Sequence, residues 1–220
     1  MPSPVLYGAT YSVYTRIVRL ALAEKGVAYR LEEVDVFAPG GPPPAHLRRH
    51  PFGRIPAFEH GEVALYEAGA IARYVDEAFA GPPLQPDDAA GRARMAQIMS
   101  LLDAYTFRPM VYGLYVELID RPARGQATDR AVVAQALPQT ERCLAALADL
   151  MGAAPFLAGP RLTLADTHAA PMFALLRWPA PGAALLARFA PLLAWWRAMA
   201  ARPAMIATRF PGEPAEGCDS

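Results

Sequence analysis

Residues 50–74, HPFGRIPAFEHGEVALYEAGAIARY, decide the fold of this 220-residue chain. The stretch starts as an irregular loop, and after the Ile55–Pro56 pair it becomes an apolar, strand-like run. Gly61–Glu62 then predicts a tight hairpin turn, which leads into Val63–Leu65 as a second short strand. Apolar residues recur at helical spacing through Glu67–Phe79. The stretch therefore predicts two antiparallel strands followed by a helix.

The residues upstream of this stretch complete a small mixed sheet. Val5–Tyr7 predicts a first strand, and the residues after it have the apolar period of a helix, which Lys25–Gly26 ends. Tyr29–Val36 predicts a second strand. The run FAPGGPPP at 37–44 predicts a loop, because so many Pro and Gly residues cannot continue either element. The predicted order is β-α-β-loop-β-β-α.

The rest of the chain is predicted to be helical. The proline-rich run AGPPLQPDD at 80–88 predicts a linker whose two final aspartates suit a helix start. Thr163 and Asp166 predict a capping box at the start of a later helix. Other helical patterns cover 91–118, 128–151 and 185–202.

These patterns predict two domains of different class. The fold class is α/β plus all-α, with a first domain at 1–80, a linker at 81–88 and an all-helical domain at 89–220. Such a chain is long enough for two small domains, and its 54% of hydrophobic residues can form their cores.

Charge and cysteine content exclude several classes of protein. Lys+Arg and Asp+Glu are equal at 21 each, which argues against nucleic acid and anionic membrane as partners. Cys143 and Cys218 are the only cysteines and have no zinc-ligand spacing, so neither a metal site nor a disulfide scaffold is expected. No apolar run is long enough to span a bilayer. We therefore expect a cytoplasmic protein.

Three segments of the first domain carry candidate chemistry. Ser12 precedes the first helix, where a hydroxyl either only caps the helix or also donates to an anion. The Ile55–Pro56 bond, if cis, would leave the backbone of Ile55 free to pair with an extended peptide. Glu67 starts a helix, where a carboxylate either offsets the helix dipole or binds a ligand. Together the three segments suit a short peptide with an amine, a carboxylate and a reactive group.

Four motifs in this order resemble those of the glutathione transferases. HPFGRIPAF at 50–58 and YEAGAIARY at 66–74 are similar to two hallmark motifs of the family. SVYTRIVRLALAEKG at 12–26 resembles the first helix of serine-type members, namely the phi, theta and related bacterial groups. LTLADTHAAP at 162–171 resembles the folding motif of the family's helical domain. The resemblance implies a thioredoxin-like first domain, an all-helical second domain and a cis Pro56.

The resemblance implies that Ser12 is the catalytic residue. Serine-type members use this hydroxyl to hydrogen-bond the glutathione sulfur, and Ser12 stands four residues before Arg16 as in those members. An unperturbed thiol has a pKa of about 8.5, so only a small fraction is thiolate at pH 7. A hydrogen bond and a helix dipole would favour the thiolate, which then attacks an electrophilic carbon.

The resemblance also implies how glutathione, the co-substrate, is held without a metal. Ile55 would pair with the cysteinyl backbone next to Pro56, and Arg54 would reach a carboxylate. Glu67 would bind the γ-glutamyl amine. Ala68 stands where the family usually has a serine that binds the γ-glutamyl carboxylate.

Aromatic residues supply further candidates. Tyr7 stands where tyrosine-type members keep their catalytic phenol, but with Ser12 present we interpret Tyr7 as structural. The resemblance places Tyr11 in the second-substrate pocket, where its hydroxyl would be an additional hydrogen-bond donor. Tyr105, Arg108, Tyr112 and Tyr115 share one face of a predicted helix. That face is either a packed interhelical or dimer face, or the wall of an electrophile pocket.

The leading hypothesis is a homodimeric glutathione transferase that conjugates a small, apolar or aromatic electrophile. The alternative is a non-catalytic binding or scaffold protein on the same fold, with weak or no affinity for glutathione. Ala68 motivates this alternative, as does the loop at 37–44, which lacks the His-Lys pair that plant-type members use for the glycyl carboxylate. A thiol reductase or isomerase is disfavoured because no cysteine lies near residue 12.

Overall fold

The computed structural model of the protein describes residues 3–214, so Cys218 lies outside the described residues. The strands are β1 Val5–Gly8, β2 Arg30–Glu33, β3 Ala57–His60 and β4 Val63–Tyr66. The α-helices are α1 Val13–Glu24, α2 Pro44–Arg49, α3 Ala68–Ala78, α4 Ala89–Leu101, α5 Arg121–Ala123, α6 Arg130–Met151, α7 Leu164–Arg177, α8 Ala180–Ala187, α9 Ala190–Ala200 and α10 Pro203–Ala207. Two π-helical segments, Leu102–Thr106 and Arg108–Asp120, continue α4.

The four strands form one mixed sheet in the order β2-β1-β3-β4. β1 is parallel to β2 and antiparallel to β3, and β3 and β4 form the hairpin predicted at Gly61–Glu62. The predicted order of strands and longer helices is confirmed, and the short helix α2 is an addition between β2 and β3 that starts at Pro44, inside the predicted loop. β2 is shorter than predicted, since Asp35 accepts a hydrogen bond from the Phe37 N–H at 2.9 Å and the chain turns there.

A compact unit forms around this sheet. It contains the residues up to Leu84 together with the returning segment Pro203–Gly212. Buried Arg16 on α1 holds that segment: its Nη2 donates to the Met205 carbonyl at 3.1 Å, and its guanidinium lies 4.4 Å from the centre of the Phe210 ring. The sequence patterns had not indicated that this segment belongs with the first unit.

The second unit comprises Gln85–Arg202 and is helical, in agreement with the predicted class. The segment after α4 is wider than an α-helix, because the Phe107 N–H bonds to the Leu102 carbonyl and the Arg121 N–H to the Val116 carbonyl, five residues back. The prediction of one continuous helix at 185–202 was wrong. The chain breaks between α8 and α9, where Pro191 lies in the first turn of a new helix.

The predicted capping box of α7 is confirmed. The backbone N–H and the hydroxyl of Thr163 donate to Asp166 Oδ2 at 2.8 and 2.9 Å. The Leu157 N–H and the Trp195 indole donate to the other carboxylate oxygen, both at 2.8 Å. Asp166 therefore joins three segments of the second unit as well as starting a helix. None of the helices within residues 3–214 has the length and apolar character needed to cross a membrane.

Candidate functional site

Ser12 is the N-cap of α1. Its Oγ accepts a hydrogen bond from the Thr15 N–H at 3.2 Å, which confirms the capping interpretation. A hydroxyl has one hydrogen to donate besides its lone pairs, and that hydrogen has no acceptor among residues 3–214. Ser12 is half-buried at the positive end of the helix dipole. Capping and donation to an anion are therefore compatible here.

The turn that presents Ser12 depends on Gly8, the last residue of β1, which the sequence analysis did not single out. A Cβ at Gly8 would lie 2.4 Å from Thr15 Oγ1, so a side chain there would displace Thr15. Thr15 is fully buried, and its Oγ1 accepts from the Ala9 N–H at 3.4 Å. The small residue at the end of β1 lets the first turn of α1 pack closely against the strand.

Tyr7 is engaged in a three-residue network. Its hydroxyl donates to Glu59 Oε2 at 2.7 Å, and the Arg49 guanidinium lies 4.1 Å from the centre of its ring. Arg49 Nε donates to Glu59 Oε1 at 2.8 Å. Burial, together with the bond to Glu59, raises the pKa of the Tyr7 phenol. These contacts support the interpretation of Tyr7 as structural.

Tyr11 also has its hydroxyl occupied. The hydroxyl donates to Asp35 Oδ1 at 3.0 Å, and burial together with that carboxylate raises the pKa of Tyr11 to about 12. The phenol has a single hydrogen, and because Asp35 accepts it, none remains to donate to a ligand. Its ring stays exposed, with the exposed Phe37 ring 6.0 Å away. Tyr11 offers an aromatic surface rather than a donor.

The peptide bond between Ile55 and Pro56 is cis, as predicted. Within the described part of the chain, neither the N–H nor the carbonyl of Ile55 has a hydrogen-bond partner. The Arg54 side chain is exposed, and the backbone carbonyl oxygen of Arg54 lies 2.7 Å from His46 Nε2. Ile55 therefore presents unpaired backbone groups of the kind that bind an extended peptide.

Glu67, Ala68 and the residues that follow form a helix start with open N–H groups. Glu67 is the N-cap of α3 and has φ 72° and ψ 117°, the only positive φ of a non-glycine residue among residues 3–214. Such a conformation costs about 1–3 kcal/mol and often occurs at ligand sites. Ala68, at 4% exposure, and Gly69 begin the helix, whose first N–H groups lack intrahelical partners. This helix start suits an anion, with the exposed Glu67 carboxylate beside it for a cation.

The aromatic face of the second unit is mostly exposed. Tyr105 and Tyr112 are 70% and 51% exposed, and Arg108 is also exposed. Tyr115, in contrast, is half-buried, with its ring 5.3 Å from that of Trp178. The face is therefore not a packed interhelical surface in this chain, except at Tyr115. It remains open to a small molecule or to another protein.

Among residues 3–214, no cluster of three or more His, Cys, Asp or Glu side chains has the arrangement to hold a metal ion.

Comparison with known proteins matches both parts of the chain to domains of one family. Residues 6–83 match the family described as glutathione S-transferase, N-terminal domain, and residues 98–203 match its C-terminal domain. The chain is 33% identical over 205 residues to glutathione S-transferase 3 of Zea mays, an alignment that covers 92% of this chain and 91% of the relative.

Solved structures agree with this assignment. Glutathione S-transferase III in its apo form superposes with a TM-score of 0.85 at 32% identity, covering 97% of this chain and 99% of that chain. Glutathione S-transferase I from maize, in complex with an atrazine glutathione conjugate, has a TM-score of 0.82 at 25% identity over 94% of this chain and 96% of that chain. Matched domains in this order, with the same fold, show that the chain belongs to the glutathione S-transferase family.

Proposed function

We propose that this protein is a transferase that conjugates the thiolate of glutathione to a small apolar or aromatic electrophile. Membership of the family supports glutathione as the co-substrate. The observation that carries the proposal is the Ser12 hydroxyl, which caps α1 through its oxygen and keeps a hydrogen for a second bond.

In the proposed mechanism, Ser12 stabilises the sulfur anion. Its O–H donates to the sulfur, and the positive end of α1 adds a favourable potential, so the thiol loses its proton to solvent at a lower pH. The thiolate then forms a sulfur–carbon bond to the electrophile. If the substrate is an aryl halide, the carbon–halogen bond breaks and the halide leaves with the electron pair.

The remaining groups of the first unit are proposed to hold the tripeptide. The N–H and carbonyl of Ile55, beside cis Pro56, pair with the cysteinyl backbone as a short added strand. Glu67 binds the γ-glutamyl amine, and the α3 start at Ala68 binds the γ-glutamyl carboxylate. Arg54, whose side chain is exposed, contacts a carboxylate of the ligand.

Glutathione is expected to bind more weakly here than with a serine at position 68. A hydrogen bond from a hydroxyl to a carboxylate contributes about 1.5–3 kcal/mol, and Ala68 cannot make it. That loss corresponds to roughly one to two orders of magnitude in affinity. The N–H groups of α3 still provide donors, so binding is weakened rather than abolished.

The electrophile is proposed to contact the exposed face of the second unit that carries Tyr105, Arg108 and Tyr112. All three side chains are exposed, and the two tyrosines are amphipathic aromatics that favour a flat ligand. The relative from maize that holds an atrazine glutathione conjugate supports an aromatic substrate class. Arg108 would favour electrophiles with electron-rich or anionic groups.

We further propose a cytoplasmic homodimer. Exposed apolar side chains next to the candidate site, Leu47, Tyr66 and the 71% exposed Phe52, support an interface on the first unit.

The test is calorimetry with glutathione combined with the rate of conjugation to a nitro-substituted aryl chloride. We expect saturable binding and turnover, and a fall in rate of about 100-fold in Ser12→Ala, as for other lost donors to a developing anion. Ser12→Asp is the matched control, because it keeps a capping oxygen but has no hydrogen to donate at pH 7. It should retain stability and lose activity.

The alternative function, a non-catalytic binding or scaffold protein, is favoured by Ala68 and by the loop at 37–44, which lacks a His-Lys pair. It predicts no heat at millimolar glutathione and no turnover in the unmodified chain. Binding without turnover would favour a scaffold that holds glutathione. Turnover that survives in Ser12→Ala would transfer the catalytic role away from this hydroxyl.

A further inference from the structure

A buried histidine contacts the loop that carries Ile55. His46 lies on the short helix α2 and is 2% exposed, and its Nε2 is 2.7 Å from the Arg54 carbonyl oxygen. Because a carbonyl can only accept, Nε2 carries the hydrogen and donates it. The other ring nitrogen, Nδ1, is buried without a partner among residues 3–214, which agrees with a hydrogen on Nε2.

The Arg54 carbonyl and the Ile55 N–H belong to one peptide unit. This unit is planar, and it is not the cis bond of the loop, so its carbonyl and its N–H point in opposite directions. A bond that fixes the carbonyl therefore also fixes the direction of the N–H. A carbonyl that accepts a hydrogen bond also polarises its own N–H, which becomes a better donor.

Few other hydrogen bonds hold this loop. Among the described residues, the segment 51–55 makes only two hydrogen bonds, one from the Gly53 N–H to the His50 carbonyl at 2.9 Å and the other at the Arg54 carbonyl. His46 is itself held by backbone bonds, since its N–H donates to the Pro43 carbonyl and its carbonyl accepts from the His50 N–H, both at 2.8 Å. The imidazole is thus the main polar anchor of the Arg54–Ile55 peptide.

We propose that His46 is a positioning residue for glutathione, which acts through the Arg54–Ile55 peptide without touching the ligand. It holds the Ile55 N–H in the direction required to donate to the cysteinyl carbonyl of the tripeptide. The proposal rests on the proposed function, because it assigns a role to Ile55 in glutathione binding. Under this proposal, His46 on α2 is one of the residues that determine the affinity for glutathione.

The test measures glutathione affinity by calorimetry and the kcat and KM of conjugation in two His46 variants. His46→Leu removes the donor and keeps a buried apolar side chain, so we expect Kd and KM for glutathione to rise about tenfold, equivalent to about 1.4 kcal/mol. The kcat at saturating glutathione should change less than about twofold. His46→Gln can donate from a similar distance and should recover affinity to within about threefold.

His60→Leu is the matched control for general destabilisation. His60 is also buried in the first unit, but it bonds to the Tyr74 hydroxyl at 2.9 Å and does not contact the loop. We expect a lower melting temperature with unchanged Kd. If His46→Leu does not fold, His46→Asn replaces it, since its amide is too short to reach the Arg54 carbonyl while His46→Gln can reach it.

Each outcome decides the proposal. Unchanged Kd in His46→Leu, or equal weakening in His60→Leu, would overturn it, as would a His46→Gln variant no better than His46→Leu or His46→Asn. Absence of binding in the unmodified chain would instead contradict the proposed function, and the role of His46 would fall with it. Weak binding that depends on the donor at position 46 supports it.

Discussion

Ser12 caps α1 and is proposed to act in the chemistry through the same hydroxyl. Its oxygen accepts from the Thr15 N–H, and its hydrogen remains for a ligand. The same side chain is therefore expected to contribute about 1 kcal/mol to stability as an N-cap and, through the other atom, to lower the pKa of a bound thiol. Variants that separate the two roles are more informative than alanine alone.

Ala68→Ser should tighten glutathione binding. The added hydroxyl would stand at the start of α3 beside the proposed carboxylate site, where we expect an increase in affinity of about tenfold. Calorimetry on Ala68→Ser and on Ala70→Ser, an exposed position in the same turn, measures the effect. Equal affinities in both variants would place the γ-glutamyl carboxylate elsewhere.

Tyr7→Phe should lower stability and spare activity. The variant loses the hydrogen bond to Glu59 but keeps the ring under Arg49, so we expect a loss of about 1–2 kcal/mol in the free energy of unfolding. Conjugation rates should stay within about threefold of the unmodified protein. Denaturant titration and a rate assay check the two parts, and a 100-fold loss of rate would make Tyr7 the catalytic phenol.

At the scale of elements, β1, β3 and α2 are joined by the network of Tyr7, Arg49 and Glu59. Tyr7 contributes from β1, Glu59 from the adjacent antiparallel strand β3, and Arg49 from the last turn of α2. Arg49 and His46 both lie on α2, and each bonds to a residue outside the helix, Glu59 and Arg54 respectively. Loss of α2 packing is therefore expected to affect the Arg54–Ile55 loop as well as the sheet.

The network also predicts how stability depends on pH. Burial alone would raise the pKa of Glu59, but bonds from Tyr7 and Arg49 outweigh it, and the pKa lies below its ordinary value. A carboxylate with a lowered pKa stabilises the fold above its unfolded pKa of about 4.3, and this contribution disappears as pH falls through the folded pKa. The difference in unfolding free energy between the unmodified protein and Glu59→Gln, about 1 kcal/mol at pH 7, should therefore shrink as pH falls below about 4.3 and vanish below the folded pKa. Denaturant titrations at pH 7 and at a series of lower pH values measure it, and a difference independent of pH would contradict the assigned charge.

The elements that could be predicted from sequence are those with local signals. The hairpin has a turn at Gly61–Glu62, and α7 has a capping box, so both were predicted correctly. The π-helical geometry of Arg108–Asp120 was not predicted. The segment packs closely on α6, because a Cβ at Gly113 would lie 2.4 Å from the Ala136 Cβ. The break before α9 did have a signal, Pro191, which a helical period of apolar residues concealed.

The candidate site likewise has residues that the sequence indicates and contacts that only the fold reveals. Ser12 and Glu67 stand at helix starts that sequence can indicate, and the motif around Pro56 can be matched to a family. The partners of Tyr7 and the contact from His46 to Arg54 depend on residues that the fold brings together. No pattern in the sequence joins Tyr7 to Glu59, 52 residues away.

At the scale of the whole molecule, a segment that follows the helical unit in sequence belongs to the unit of the sheet. The segment Pro203–Gly212 belongs to the unit of the sheet and supplies acceptors to buried Arg16. Helix α1, which Ser12 caps, is thus held through Arg16 by Met205 of α10, the last helix among the described residues. The stability of the proposed glutathione site is expected to depend on residues near the C-terminus.

A chain that ends at Arg202 should therefore be less stable. Arg16 would lose its acceptors at Met205 and Thr208, and the unfolding free energy should fall by about 3 kcal/mol or more because a buried cation loses two of its partners. A chain that ends at Pro214 keeps these contacts and should be more stable than the chain that ends at Arg202 by that amount. Thermal unfolding of both truncated chains checks this, and equal stability would show that Arg16 is satisfied without the segment.

The central claim, that the Ser12 hydroxyl stabilises the thiolate of bound glutathione, is tested most directly by titrating that thiol. The ultraviolet absorbance of the thiolate, followed against pH in the glutathione complex, reports its pKa. We predict a pKa well below the unperturbed value of about 8.5 in the unmodified protein and a return toward that value in Ser12→Ala. An identical titration in the two proteins, each saturated with glutathione, would contradict the claim.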